Sequence, residues 1–269
     1  MKRLLIILLC ATALCSCLKE DSPEVYTQRL YVDGRIEQGK PAEVVLTLNM
    51  GYDGVIDPDE LRDMVVRWAK VTVSSSTESE VLTGRIESDY PSNFVYRGVD
   101  ILGEEGESYT LTIEYSGRKW SARTTIPRPI EGVSMEREWT CDTMYRVMVS
   151  LPPTSEPCLM ECSVGEGRYY RPALLGVLDA SDERRVVALN RPLDYMNMEA
   201  FTPLFHRDDK LRLRVSSMPA FGYEYWSGWE NVLINSLNPI FPSEHNPPTN
   251  ISGDGRGLWC GYNSIYLRP

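Results

Sequence analysis

Ala42, Val44, Leu46 and Leu48 alternate with Glu43, Val45, Thr47 and Asn49, the two-residue period of a strand buried on one face. The same period recurs where Ala69, Val71 and Val73 alternate with Lys70, Thr72 and Ser74. It returns where Tyr109, Leu111, Ile113 and Tyr115 alternate with Thr110, Thr112 and Glu114. Leu30 to Ile36 reads as an earlier strand near the turn glycines Gly34 and Gly39. Ser116-Gly117 separates the Tyr109 run from Lys119 to Ile126 and predicts a hairpin. Further on, Tyr145, Val147, Val149 and Leu151 alternate with Arg146, Met148 and Ser150. Arg184 to Leu189 and Lys210 to Val215 follow as strands, with Leu211, Leu213 and Val215 set against Arg212 and Arg214.

The period changes once. Phe221, Tyr225, Trp229, Val232 and Leu233 recur at helical spacing and predict a helix over about 217–237, stopping before Asn238-Pro239. Ser217 is the expected cap, with Pro219 in the first turn. The aromatic stripe reads as packing against a sheet rather than a ligand platform, and leaves Tyr223 and Trp226 as candidates for exposure. The glycine-rich stretch Gly253 to Gly257 then feeds a closing strand. The expected fold is mainly β. An immunoglobulin-like antiparallel β-sandwich is expected over 27–127, followed by a second β-rich domain over 128–269 carrying the one C-terminal aromatic helix. Pro127-Arg128-Pro129 sets the boundary, because two prolines stop both ladder and helix.

The first residues have a different logic. Met1-Lys2-Arg3 is a positive start, Leu4 to Ala13 an apolar run too short to span a bilayer, and Leu14-Cys15-Ser16-Cys17 resembles a bacterial lipobox. Residues 1–16 are therefore expected to be a cleaved lipoprotein signal peptide, and 17–26 a tether lipidated at Cys17 with diacylglycerol and palmitate-type chains. Lys19, Glu20 and Asp21 resemble the export signal that sends Bacteroidota lipoproteins to the outer face of the outer membrane. The expected location is the outer membrane, lipid-anchored and surface-exposed.

Charge narrows the partners. The chain has a formal net charge of −10, and the signal region's only charges are Lys2 and Arg3, so the remainder is more acidic still. Such a chain would not neutralise a phosphate array, which argues against nucleic acid or anionic lipid as partners. Cys141, Cys158, Cys162 and Cys260 remain after the signal and anchor. Export permits disulfides among them, with three pairings open and free buried thiols equally open.

No catalytic, cofactor or metal residue is expected. There are two histidines, His206 and His245, and no G-x-S-x-G elbow. Cys158-x3-Cys162 lacks a second pair to complete a zinc site. Asn49 to Glu60 reads like the later part of a calcium loop, with Asp53, Gly54, Ile56 and Glu60 in register. However, Gly51 removes a ligand and a strand precedes the loop, so an acidic connection opening a short helix is the better reading. Gly253-x-Gly255-x-Gly257 reads as a turn and not a dinucleotide loop. Asp142-Thr143-Met144 resembles an O-glycosylation triplet of exported Bacteroidota proteins, with a plain loop equally open.

A family resemblance covers nearly all the chain beyond the signal. The Tyr/Trp-rich helix, Asn238-Pro239, a Pro-rich loop, Thr249-Asn250-Ile251 and the glycine run into an aromatic strand resemble a Bacteroidota outer-membrane lipoprotein family. It is catalogued as a domain of unknown function (number 4249). Val32-Asp33-Gly34-Arg35-Ile36, the strand around Ala69-Lys70-Val71 and the Tyr109 to Pro127 hairpin agree with it. Trp259-Cys260 departs from the phenylalanine expected there, and a local disulfide would account for the change. The resemblance implies a surface-exposed, non-catalytic accessory or ligand-capture partner of a TonB-dependent nutrient transporter. A structural or adhesive surface module is the alternative, and an enzyme with an unrecognised carboxylate site a third.

Overall fold

The computed structural model describes residues 28–49, 64–167, 169–192, 202–236 and 246–268. Cys17, Lys19, Glu20, Asp21, His245 and all but the first residue of the Asn49 to Glu60 loop lie outside them. Among the described residues the chain is mainly β. In chain order the first strands are β1 (Leu30–Glu37), β2 (Pro41–Leu48), β3 (Lys70–Ser74), β4 (Ser79–Val81), β5 (Thr83–Ile86), β6 (Phe94–Leu102), β7 (Ser108–Tyr115) and β8 (Arg118–Thr125). Next come β9 (Ser134–Trp139), β10 (Met144–Leu151), β11 (Cys158–Ser163), β12 (Arg171–Leu178), β13 (Arg185–Ala188), β14 (Leu204–His206) and β15 (Arg212–Ser217). The helix α1 (Ala220–Ser236) and the last strand, β16 (Arg256–Leu267), complete the order.

Eight strands form one sheet, in the order β12-β11-β15-β16-β1-β2-β6-β5. Its centre is the long closing strand. Arg256 to Tyr262 of β16 pair in parallel with Tyr31 to Glu37 of β1, and Asn263 to Leu267 pair antiparallel with Ser217 to Leu213 of β15. One strand thus joins the N-terminal strands to those beyond Pro127. Gly34 permits this join, since a Cβ there would sit 2.8 Å from the Trp259 ring.

Two smaller sheets share hydrophobic clusters with one face of the long sheet. The sheet β4-β3-β7-β8 contributes Val71, Leu111 and Ile113 to a cluster containing Val32, Ile36, Val44 and Trp259. The sheet built on β10, flanked by β9, β13 and β14, contributes Val147, Val149 and Phe205 to a second cluster with Met160, Leu213 and Val215. The alternating strands bury the positions their pattern predicts: Ala42, Val44 and Leu46 are buried, as are Tyr145, Val147, Val149 and Leu151. The Ser116-Gly117 hairpin forms with φ of 50° and 75° at its two turn residues, the left-handed pair that a two-residue loop needs.

The helix differs from its expectation at its start and on its face. Ser217 ends β15, and its hydroxyl donates to the Arg128 carbonyl at 2.5 Å instead of capping α1. The first helical bond runs from the Gly222 amide to the Pro219 carbonyl. Tyr223 and Trp226 are partly buried against Leu159, Leu258, Cys260 and Tyr262, because the helix lies on the long sheet over a wider face than the stripe implied. No disulfide forms. Cys158, Cys162 and Cys260 are buried free thiols and Cys141 is exposed. Cys158 and Cys162 lie in one cluster and Cys260 in another, so Cys260 packs as a small hydrophobe where a bridge was suggested.

Candidate functional site

The second face of the long sheet has a different chemistry. Two-residue alternation turns Asp33, Arg35 and Glu37 of β1 away from the apolar clusters. Glu43 of β2, Arg97 of β6, Glu161 of β11, Arg214 of β15, and Tyr262 and Tyr266 of β16 share that side. Together with Tyr90, Tyr169, Tyr170 and Trp226 they line a cleft of about 310 Å³. Its walls come from strands on both sides of Pro127.

At one end the charges form a closed ring. The Arg214 guanidinium grips Glu161 with two hydrogen bonds, Nε to Oε2 at 2.7 Å and Nη2 to Oε1 at 2.5 Å. Arg35 Nη1 reaches the same carboxylate at 3.3 Å, and its Nη2 lies 3.7 Å from Glu37. Arg214 closes the ring on Glu37 at 3.9 Å. Lys40 adds a further ion pair to Glu37 at 3.0 Å, and the Tyr266 hydroxyl donates to Glu37 at 2.5 Å. The carboxylates are almost dry, with side-chain exposures of 4% for Glu161 and 6% for Glu37.

Burial alone would raise both carboxyls. The positive charges of Arg214 and Arg35, with the hydrogen bonds, overcome burial and hold Glu161 below its usual value. Arg35, Arg214 and the Tyr266 hydroxyl do the same for Glu37. Three ring faces are taken by these cations. Arg35 lies 4.5 Å from the Tyr262 centroid, Arg214 4.7 Å from Tyr170, and Lys40 3.9 Å from Tyr266. The stacking on Tyr262 partly compensates Arg35 Nε and Nη2, which are buried without hydrogen bonds.

A second ion set lies along the wall from β2 to β6. Arg97 bridges Glu43 and Glu87, each at 2.7 Å, and the Tyr90 hydroxyl donates to Glu43. Tyr90 meets Tyr169 with ring centroids 5.3 Å apart. Trp226 Nε1 donates to the Tyr262 hydroxyl at 2.8 Å and fixes the helix edge over β16.

Asp33 is different. Its side chain remains open to solvent, yet protein crowds it on every side, as happens to a group standing inside a cleft. Among the described residues it has neither a hydrogen bond nor an ion pair. Burial pushes its carboxyl above the ordinary range; Arg35 opposes the shift and the negative charge of Glu161 adds to it. The Asp33 charge in turn helps burial raise the phenols of Tyr169 and Tyr225.

The cleft gathers few of the residues singled out in the sequence. Trp226 lines it, whereas Tyr223 packs into the apolar cluster beneath α1. His206 sits on β14 beside Asp208, away from the cleft. Cys158 and Cys162 lie on the opposite face of β11 with their thiols pushed up by burial, to about 11 and about 12. Among the described residues no group of three or more His, Cys, Asp or Glu side chains is placed to hold a metal ion. Asp142 and Thr143 occupy the exposed β9–β10 turn. Glu161, Arg97, Tyr90, Tyr169 and Tyr170 were not anticipated. The available signal was Glu161, a lone carboxylate inside the otherwise apolar or small run Cys158 to Ser163.

In comparisons with known proteins, no family model and no curated protein matches the chain.

Proposed function

We propose that this protein is a surface-exposed outer-membrane lipoprotein, anchored through Cys17, that captures a small polar ligand in the cleft for a TonB-dependent nutrient transporter. The observation that carries capture is the cleft itself: a concave, aromatic and charged site of about 310 Å³, at the lower end of the range small-molecule sites occupy. The lipobox, Lys19-Glu20-Asp21 and the resemblance to the outer-membrane lipoprotein family support the location and the transporter. The cleft is read as binding rather than catalysing. Glu37 and Glu161 are held ionised by arginines, so neither is poised to donate a proton at neutral pH. Binding also suits the rigid floor, since the ring locks side chains of β1, β11 and β15 before any ligand arrives.

The test has three readouts on the full chain purified from host membranes in detergent. Labelled palmitate should enter the protein and be lost in Cys17→Ser. Native mass spectrometry should find a small molecule released on unfolding. A TonB-dependent transporter should co-purify. An unlabelled Cys17 defeats the anchor, a bare protein under every growth condition defeats capture, and a missing transporter defeats the proposed partner.

A further inference from the structure

Resting on the capture reading, we propose that the cleft selects an organic cation, an amine or guanidinium ligand held between Asp33 and the uncapped rings of Tyr90, Tyr169 and Trp226. The argument begins with charge balance. Among the described residues six carboxylates and four cationic side chains line the cleft. Every cation is already engaged: Arg35 and Arg214 with Glu161 and Glu37, Lys40 with Glu37, and Arg97 with Glu43 and Glu87. Asp33 and Asp89 are left over, with no ion pair among the described residues. Among the described residues the cleft lining therefore carries more negative than positive charge, and none of its four cations is left over for an anionic ligand.

The aromatic rings divide in the same way. Tyr262, Tyr170 and Tyr266 already present their faces to Arg35, Arg214 and Lys40. Tyr90, Tyr169 and Trp226 have no cation over them among the described residues. Tyr169 feels the charge of Asp33 and touches Tyr90 at 5.3 Å between centroids, and Trp226 lines the same cleft, so the rings without a cation and the unpaired carboxylate share one lining with the ion-paired set beside them. An unpaired carboxylate in a cleft whose rings no described cation covers recognises an ammonium or guanidinium group: the acid supplies the counter-charge and the rings supply their negative faces. The other end already shows that chemistry satisfied internally, three times over.

Three probes of equal reach test this: cadaverine, 1,5-pentanediol and glutarate, titrated calorimetrically into the full chain in detergent. Cadaverine should bind saturably and more tightly than the other two. Asp33→Asn, nearly isosteric, should weaken it about ten- to a hundredfold, and Tyr169→Leu should weaken it as well. Asp254→Asn, at an acid paired with Arg118 away from the cleft, should leave it unchanged. Equal or tighter binding of the diol or of glutarate overturns the cation assignment and leaves capture standing. So does cadaverine binding that survives Asp33→Asn. If no probe binds, the cation assignment falls, and capture is then decided separately by whether a small molecule co-purifies from the host.

Discussion

The two ends of the cleft contain the same residue types and solve opposite problems. At the ring end, Glu37 and Glu161 are buried more deeply than Asp33, yet they remain ionised, because each shares two arginines and at least one direct hydrogen bond. Around Asp33 the crowding of protein likewise disfavours the anion, and there Arg35 opposes it only in part and nothing described donates a hydrogen bond to offset the rest. Burial pushes all three carboxyls the same way, and the partners decide whether that push is overcome. A complete set of partners makes a scaffold, and an incomplete one leaves a place for something else.

The comparison breaks most visibly if the ring is opened. Glu161→Ala leaves Arg214 and Arg35 with only the more distant Glu37 between them, and should destabilise the fold by about 3–5 kcal/mol. Chemical denaturation monitored by tryptophan fluorescence would read the loss. Replacing Glu161 and Arg214 together by methionine should cost far less than Glu161→Ala, within about 1–2 kcal/mol of the native chain. Desolvating a matched ion pair consumes most of what the pair returns. If the double variant is as unstable as the single one, the ring is more than a neutralised scaffold.

Acid sharpens the contrast next. Folding holds Glu37 and Glu161 below their ordinary values, so the stability they contribute is fully present above the unfolded carboxylate range, about pH 4.3. It is lost as pH falls through their lowered folded values. Their contribution should be constant above about pH 5 and decline below it, so thermal melts should show an acid limb that Glu161→Gln makes shallower. An acid limb unchanged by this substitution would place the sensitivity elsewhere.

Much of this molecule could be read from its pattern. The strands at Ala42 to Leu48, Tyr109 to Tyr115 and Tyr145 to Leu151 announced themselves because one face is apolar and the other is not. The cleft was hidden by the same signal. Asp33, Arg35, Glu37, Arg212 and Arg214 look like the solvated side of a half-buried strand. Alternation reports that a face is polar, without reporting whether water or another charged strand covers it. Nothing local pairs β1 with β11 and β15 across β16, since Arg35 and Glu161 lie 126 residues apart. β11 itself escaped notice because it is buried on both faces, which erases the period.

The smallest effect is also the most discriminating between the two ends. Asp33→Asn removes an anion that the native environment disfavours, so it should raise the melting temperature at neutral pH, the reverse of what loss of Glu161 does. The sign follows from linkage. A carboxyl raised on folding takes up its proton more readily when folded, so ionising it opposes folding once pH exceeds its unfolded value of about 3.9. The gain from Asp33→Asn should therefore appear above that pH, grow until the raised folded value is passed and then level off, and vanish in acid, where Asp33 is neutral in both states. Paired melts of the native and variant chains across pH 3–8 would measure it. A variant less stable at pH 7 would mean that Asp33 helps hold the fold together, and the distinction between a finished and an unfinished end of the cleft would fail. A variant that melts higher while losing its ligand would mark Asp33 as a residue kept for binding at a cost in stability.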